Sequence, residues 1–452
     1  MGRGPSVTRA LGPAALGAIG AVALVVRIAY AAVLRRDYRP DSDADSYFQI
    51  ARALSEGRGF VQSIPFGHDH PTAGRPPLYP VLVAPLFDLF GVHVGVAQAF
   101  NVVAGAGVAV TAAVAGAHIA GRAAGVWSGL VVACSPPLIA NDVTTPSETT
   151  ACLLLAAAVV ALARGRAFAA GAAMGLLMLS RASAQWLLLA LAAWVWWRFG
   201  WRHAVRFAVV ALLVVAPGVV RNAVQVGGPV LVTTNWFNLN VRYSPEARAD
   251  GGFVDAYNDP RFAVMRLRYT DEVSLDDALR ERAVDALAAD PDDVVRVVGS
   301  NVTRWFELTP GENDDPETLD GRHLGVRRAT LPLFSLVSLA GATGLWRAPV
   351  GRVAAARRLG RVLHGGEPRQ RVGAAAARTG RPRARDRCGR ARRDLAVDRR
   401  RARRSAHASS RPPRSAVTRY GRRAARVHGR RPRVARPRRR LGGAGDRRGT
   451  GA

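Results

Sequence analysis

Repeated apolar runs of membrane length are the feature that most constrains this chain. A helix that crosses a bilayer needs roughly 17–25 apolar residues. Runs at or near this length are Leu11–Leu34, Val92–Ala120, Ala123–Ala140, Thr149–Ala163, Ala167–Leu179, Ala182–Trp197, Val205–Val220 and Ala329–Trp346. The first three are long enough outright, and the runs between Thr149 and Trp197 are interpreted as tilted or partly buried helices. The sequence therefore predicts an all-α polytopic membrane protein with about eight transmembrane helices.

The arginines of the short turns predict how these helices are oriented. Arg122, Arg164 with Arg166, and the arginines of 198–206 alternate with arginine-poor turns. Cytoplasmic loops carry an excess of arginine, so the N-terminus is expected in the cytoplasm and the loops 35–77 and 221–328 outside. The run Leu11–Leu34 is too long for a signal-peptide core and is interpreted as an uncleaved first span.

The two outer loops are expected to carry short helices at the membrane face. Leu78–Phe90 contains two prolines and an aspartate, which favours an interfacial or re-entrant segment. Ser274 followed by Asp277 resembles the capping signal of a helix that runs to about Ala289. Asp290-Pro291 then begins a second helix, with apolar residues at helical spacing up to Phe306. Both helices of this second loop are predicted to be amphipathic.

The segment after Trp346 has a different composition from the body. Residues 347–452 hold 35 of the 64 basic residues and 5 of the 33 acidic ones, and almost no apolar periodicity. Such a segment cannot bury a core. It is interpreted as a disordered arginine-rich tail that binds anionic lipid or as an out-of-frame translation, and the second interpretation is favoured. Because the body, 1–346, is close to neutral, nucleic acid is not an expected partner.

Three acids at alternate positions follow the first span directly. Asp41, Asp43 and Asp45 precede a helical pattern that begins near Ser46. Carboxylates at the mouth of a membrane span are suited to proton chemistry on a substrate that arrives through lipid. Spacing alone also fits solvated loop acids or a helix N-cap, so the acids by themselves leave the choice open.

The motif Asp43-Ala44-Asp45-Ser46-Tyr47, followed by Ile50-Ala51-Arg52, resembles the first outer loop of the family 39 glycosyltransferases. These are GT-C membrane enzymes related to protein O-mannosyltransferases and to the aminoarabinose transferases that modify lipid A. Further similar segments follow in order: Arg75-Pro76-Pro77-Leu78-Tyr79-Pro80, Pro146-Ser147-Glu148, Leu179-Ser180-Arg181, Ala216-Pro217-Gly218-Val219-Val220-Arg221-Asn222, Gly227-Gly228-Pro229-Val230 and Thr233-Thr234-Asn235. The resemblance covers Leu11 to Trp346 and does not reach the tail.

This resemblance implies transfer of a sugar from a polyprenyl-phosphate donor to an acceptor on the outer face of a bacterial plasma membrane, with inversion. The acceptor class, glycan, lipid or protein, is open. An inverting displacement needs a carboxylate to take the acceptor proton and cations to hold the departing phosphate. No cofactor is expected; a divalent metal is conceivable but not indicated, because arginine alone can hold the phosphate.

The resemblance assigns roles to particular residues. Asp43 is the expected general base, and Asp45 is the alternative base or an orienting or metal ligand. The expected substrate-binding residues are Tyr47, Arg75, Tyr79, Glu148, Arg181, Arg221 and Asn222. Arg75 is equally consistent with an interfacial anchor, and Glu148 with a favourable position at a helix N-terminus. Arg27, inside the first span, is expected to snorkel to the outer interface.

Two further expectations limit the site. His68-Asp69-His70 resembles a metal motif, but no third or fourth ligand is evident, so no metal site is predicted. The same arginines without a base would suit a transporter or flippase of a lipid-linked sugar, and a truncated inactive membrane protein with a basic tail is a third possibility. Internal repeats of spans, which a transporter often has, are not evident.

Overall fold

The computed structural model describes residues 10–144, 147–249, 254, 259–305 and 322–347, all within the unit Met1–Gly360. The predicted tail therefore lies outside the described residues. The described part is mostly helical. Its bundle helices are α1 Pro13–Leu34, α3 Leu78–Phe90, α4 Val94–Ala120, α5 Arg122–Ala133, α6 Pro136–Asp142, α7 Glu148–Ala163, α8 Ala167–Ser180, α9 Ala184–Phe199, α10 Trp201–Gln225 and α16 Leu324–Arg347.

The remaining elements belong to the two predicted outer loops. The first loop holds α2 Ser42–Ser55 and a hairpin of β1 Val61–Gln62 and β2 His70–Pro71, in which Val61 is opposite Pro71 and Gln62 opposite His70. The second loop holds α11 Asn235–Tyr243, α12 Pro245–Ala249, α13 Pro260–Arg268, α14 Glu272–Ala289 and α15 Pro291–Trp305. The second loop is thus largely helical, as expected, whereas the first combines one helix with a short hairpin.

Three described helices, α1, α4 and α10, are long and apolar enough to cross a membrane. The predicted third span is wrong as a single helix. It is two helices, α5 and α6, bent by 54° at residues 134–135, because Pro136 and Pro137 cannot continue the helix across that break. The other apolar runs between Leu78 and Ser180 form helices of 13–16 residues, so eight spans and the re-entrant role of Leu78–Phe90 stay predictions.

Small residues bring the bundle helices close together. A Cβ on Gly125 of α5 would lie 2.7 Å from the Ala113 carbonyl oxygen of α4. A Cβ on Gly171 of α8 would lie 2.5 Å from the Phe207 carbonyl oxygen of α10. One turn later, a Cβ on Gly175 would lie 2.6 Å from the Ala211 carbonyl oxygen of α10. Helices approach this closely where glycine and alanine replace larger side chains, so these glycines fix the packing around α4 and α10.

Arg27 does not snorkel to the interface, and that expectation is wrong. The side chain is fully buried, its Nε bonds to Asp142 Oδ2 at 2.6 Å, and its Nη1 donates to the Ala23 and Ala133 carbonyls. Asp142 also accepts from Thr149 Oγ1 at 2.6 Å. A buried charge without a partner is very unfavourable, so the arginine of α1 pairs inside the bundle with the aspartate that ends α6.

The helix pair of the second outer loop is confirmed, with one corrected cap. Helix α14 ends at Ala289 as predicted, but it begins at Glu272, and its N-cap is Asp271, which accepts from the Ser274 amide at 2.8 Å. Ser274 is therefore a donor in the first turn and not the cap. Helix α15 begins at Pro291 as predicted, while Phe306 lies outside the described residues.

Candidate functional site

The first turn of α2 sets the position of the candidate base. Asp41 is the N-cap residue, and its carboxylate accepts from the Ser42 amide at 2.7 Å. Asp43 therefore lies inside the helix and is free of the capping role. Tyr47, Ile50 and Ala51 are buried on the same side of α2, which fixes the helix against the bundle. Asp43 precedes them in the first turn, at the end of the helix, and stays exposed.

Asp43 is held by an arginine of the next loop segment. Arg75 Nη2 donates to Asp43 Oδ1 at 2.5 Å, with Arg75 11% and Asp43 53% exposed. The Arg75 guanidinium also lies over the Tyr47 ring at 6.0 Å. The Asp43 side chain is thus about half exposed and open to a ligand, whereas the Arg75 side chain that orients it is nearly enclosed.

Aromatic rings form the floor beneath this pair. Tyr47 and Tyr79 meet edge to face at 5.6 Å, and Tyr79 meets Phe100 of α4 at 5.8 Å. Burial raises the pKa of Tyr47, although the nearby Arg75, Ser147 and Arg181 favour its phenolate. The Tyr47 hydroxyl is therefore neutral at physiological pH. It lies near Arg75 and Arg181, the arginines that the sequence predicts to bind substrate.

A second ion pair completes the cluster. Glu148 is the first residue of α7 and Arg181 directly follows α8, and the two side chains form a short salt bridge with about a third of each exposed. Arg181 also interacts electrostatically with Tyr47 and Asp43. The structure thus brings together six of the predicted residues, Asp43, Tyr47, Arg75, Tyr79, Glu148 and Arg181, which the sequence distributes over 139 positions.

Three other predicted residues make different contacts. Asp45 accepts from Gln49 Nε2 at 3.1 Å, because two residues of helix turn it by about 200° from Asp43. Arg221 donates to the carbonyls of Thr72 and Phe60 and lies 5.0 Å over the Phe60 ring. Asn222 donates to the Val230 carbonyl at 2.8 Å. Arg221 and Asn222 thus hold loops, and a substrate role for either stays a prediction.

The segment that carries Arg75 is fixed by Glu272, a residue that sequence reasoning missed. Its buried carboxylate accepts from Thr72 Oγ1 at 2.5 Å, the Ala73 amide at 2.8 Å and Thr233 Oγ1 at 2.8 Å. Burial disfavours its charge, but these donors outweigh burial and hold the pKa of Glu272 below its usual value. An acid that begins a helix gives no local signal of such contacts, so only the tertiary structure reveals them.

His70 of the histidine motif belongs to the same support. His70 Nε2 lies 2.9 Å from Glu272 Oε1, and its Nδ1 lies 3.0 Å from the His68 carbonyl. Burial opposes protonation of the ring, but Glu272 outweighs it and the pKa of His70 is raised. Asp69 pairs with Arg58 and Ser63. Within the described ranges, no group of three or more metal-ligating side chains is found.

The cluster offers one half-exposed carboxylate, two guanidiniums and a neutral phenol beside apolar helices. This set suits proton removal next to a bound phosphate. Neither protein-family models nor curated proteins matched the chain. The resemblance to the family 39 glycosyltransferases therefore rests on the motifs themselves and stays a prediction.

Proposed function

We propose that this protein is a GT-C-type membrane glycosyltransferase that moves a sugar from a polyprenyl-phosphate donor to an acceptor at the outer membrane face. The observation that carries the proposal is the Asp43–Arg75 pair, in which a half-exposed carboxylate is oriented by a nearly enclosed arginine beside the Glu148–Arg181 pair. The apolar helices α1, α4 and α10 support a place in the membrane. A cytoplasmic N-terminus and eight spans complete the proposal.

In the proposed reaction, Asp43 takes the proton of the acceptor hydroxyl. The acceptor oxygen forms a bond to the anomeric carbon from the face opposite the phosphate, and the bond between that carbon and the phosphate oxygen breaks. The electron pair leaves with the lipid phosphate, so the negative charge grows on that oxygen. Arg181 and Arg75 stabilise this charge. No covalent intermediate is needed, and the anomeric configuration inverts.

The arginine pairing orients the base. Arg75 holds one Asp43 oxygen and leaves the second oxygen accessible, because Asp43 is half-exposed. Glu148 holds Arg181 in a similar way before a phosphate arrives. As the sugar is transferred, the departing lipid phosphate carries more negative charge than the Glu148 carboxylate, and it accepts two parallel bonds from a guanidinium. Arg181 is therefore the arginine expected to change partner when the donor binds.

The test compares Asp43→Asn with Asp41→Asn in membranes that contain the full chain. The substrates are labelled polyprenyl-phosphate sugars, and the readout is release of polyprenyl phosphate. Loss of a general base lowers the rate by about 10²–10⁴-fold, so Asp43→Asn should lose nearly all release. Asp41→Asn should keep it, because asparagine caps a helix as well as aspartate does.

Each other result has a definite meaning. Full release by Asp43→Asn would exclude Asp43 as the base. If the wild-type chain cleaves none of the donors, glycosyl transfer is rejected. Movement of intact donor across the membrane, without cleavage and unchanged in Asp43→Asn, would instead support the transporter.

A further inference from the structure

One end of the bundle carries five exposed arginines. It holds three turns, which join α4 to α5, α7 to α8 and α9 to α10. Arg164 of the second turn donates to His118 Nε2 of α4 at 2.9 Å, and the Arg206 guanidinium of α10 lies 5.9 Å from the centre of the Phe168 ring of α8. The three turns therefore form one surface, hereafter the basic face. Its arginines are Arg122, Arg164, Arg166, Arg202 and Arg206.

The basic face lies at the far end of the bundle from the Asp43 cluster. Glu148 begins α7 and Arg181 directly follows α8, whereas the turn 164–166 lies at the other ends of these two helices. The helices have 16 and 14 residues, which corresponds to about 20–25 Å. An interaction of the basic face is thus separate from glycosyl transfer and does not depend on it.

No acid neutralises the arginines of this face. The sequence contains no aspartate or glutamate at 89–141 or at 149–245, and all three turns lie within these two stretches. Within the part of the chain that the structure describes, none of the five arginines forms an ion pair. Helices α5, α8 and α10 also begin here without an acid in their first turns, and their positive ends add to the charge.

Aromatic side chains border the arginines. Phe168, Trp196 and Trp201 are exposed, and the Arg202 guanidinium lies 5.6 Å from the centre of the Trp201 ring. Tryptophan is enriched where a membrane helix meets the lipid head groups. Helix α10 begins at Trp201 and is long and apolar enough to cross a membrane. We therefore expect the arginines at the level of the lipid phosphates.

We propose that the basic face binds the head groups of anionic glycerophospholipids in the leaflet opposite the Asp43 cluster. A guanidinium donates two parallel bonds to a phosphate, and one that is stacked on an aromatic ring still has N–H groups at its edge for this purpose. Basic clusters next to membrane helices attract anionic lipid in this way. A zwitterionic lipid is a poorer match, because its own cation already balances the phosphate.

The apolar surface beyond the arginines selects a lipid over a soluble polyanion such as RNA. Val205, Val209 and Leu212 continue along α10 from Arg202, and all three are exposed. RNA would match the charge but would leave these side chains in water, which is unfavourable. A phosphate joined to acyl chains covers both the arginines and the apolar side chains.

The test maps lipid contacts of the full chain reconstituted in phosphatidylcholine vesicles. Photoactivatable phosphatidylglycerol or phosphatidylcholine, each with the reactive group near the glycerol, is added in equal trace amounts, and mass spectrometry locates the labelled residues. Phosphatidylglycerol should label 164–168 and 196–206 several-fold more than phosphatidylcholine does. Because each label is assigned to a residue, lipid bound by the arginine-rich segment 347–452 is counted separately.

Variants of two arginines test whether charge causes this preference. Each arginine near a membrane surface strengthens the attraction of anionic lipid about fivefold, so Arg166→Gln combined with Arg206→Gln should abolish most of the preference. Arg166→Lys combined with Arg206→Lys keeps both charges and should preserve it. Arg36→Gln is the matched control and should change nothing, because Arg36 is exposed and follows α1 at the other end of the bundle.

Three results would overturn the proposal. They are equal labelling of the three turns by the two lipids, an unchanged preference in the double glutamine variant, and an equal loss in Arg36→Gln. Loss of the labelling when RNA is added in excess would instead assign the basic face to nucleic acid. Labelling of α10 by the phosphatidylcholine probe should be the same in all variants, which shows that each one is folded and inserted.

Discussion

Two arginine–aspartate pairs in this protein have nearly equal bond lengths and opposite surroundings. Arg27 and Asp142 meet at 2.6 Å with 0% and 4% of their side chains exposed. Arg75 and Asp43 meet at 2.5 Å with 11% and 53% exposed. The first pair is enclosed by α1, α5 and α6, whereas the second opens to solvent at the start of α2. Only the second presents a carboxylate to a ligand.

The comparison shows that burial, and not bond length, decides what an ion pair does. A buried pair is strongly destabilising when one partner is removed, because the other is left uncompensated. An exposed pair contributes little to stability because water screens it. The bundle therefore depends on Asp142 for its fold, while Asp43 is available for chemistry at almost no expense in stability. Four substitutions test this division.

The largest effect is expected from Asp142→Asn. It leaves the Arg27 guanidinium buried beside a neutral amide and should lower the free energy of unfolding by about 3–5 kcal/mol. Thermal unfolding of the purified chain in detergent measures the change. Glu56→Gln, which removes exposed pairs with Arg52 and Arg58, is the control and should leave the unfolding temperature almost unchanged. Equal changes in the two variants would contradict the division.

Gly105→Ala tests how tightly the buried pair is enclosed. A Cβ at this position of α4 would lie 2.1 Å from Asp142 Oδ2 and 2.6 Å from Arg27 Nε. Overpacking of this kind destabilises by about 1–3 kcal/mol. Gly95→Ala in the same helix is the matched control, because no atom lies within 4 Å of its Cβ. A neutral Gly105→Ala in thermal unfolding would show that the pair moves apart readily.

The contacts of Glu272 with His70, Thr72, Ala73 and Thr233, hereafter the clamp, should make stability sensitive to pH. The lowered pKa of Glu272 contributes stability above its usual value of 4.5, and this is lost as pH falls through the lowered pKa. The raised pKa of His70 contributes stability below its usual value of 6.5, and this is lost as pH rises through the raised pKa. Stability from the pair is therefore greatest between about pH 4.5 and 6.5.

His70→Gln isolates the basic side of that window. His70→Gln should not lose stability as the pH rises above 6.5. Below pH 6.5, its free energy of unfolding should be lower than that of the wild-type chain by no more than about 2 kcal/mol. Unfolding measured from pH 4 to 9 on both chains gives the difference. If the difference does not change with pH, the His70–Glu272 contact is not ionic.

The smallest stability effect is expected from Asp43→Asn. The pair is half-exposed on the Asp43 side, and asparagine keeps an oxygen that can accept from Arg75. The variant should therefore lose less stability than Asp142→Asn and unfold close to the wild-type temperature. Its loss of donor cleavage would then be chemical and not structural. A large loss of stability would instead place Asp43 with Asp142 as a structural residue.

The sequence predicted the elements better than their partners. Helices α1, α4, α10 and α14 follow from local apolar patterns, which a sequence displays directly. The break before Pro136 was missed, although two prolines inside the apolar run mark it. By contrast, the partners of Arg27 and Glu272 lie 115 and about 200 positions away, and nothing local marks them. The motif order predicted Asp43 and Arg75 as site residues, but not that they pair.

The wide separation of the clamp residues has a consequence for how the protein is made. The hairpin that leads to Arg75 is tied to Glu272, about 200 residues later in the chain. At the usual rate of synthesis, about 5–20 residues per second, roughly 10–40 s pass between the emergence of one and of the other. The first helices thus emerge with an incomplete candidate site, and the hairpin gains its contacts only after residue 272 has been made.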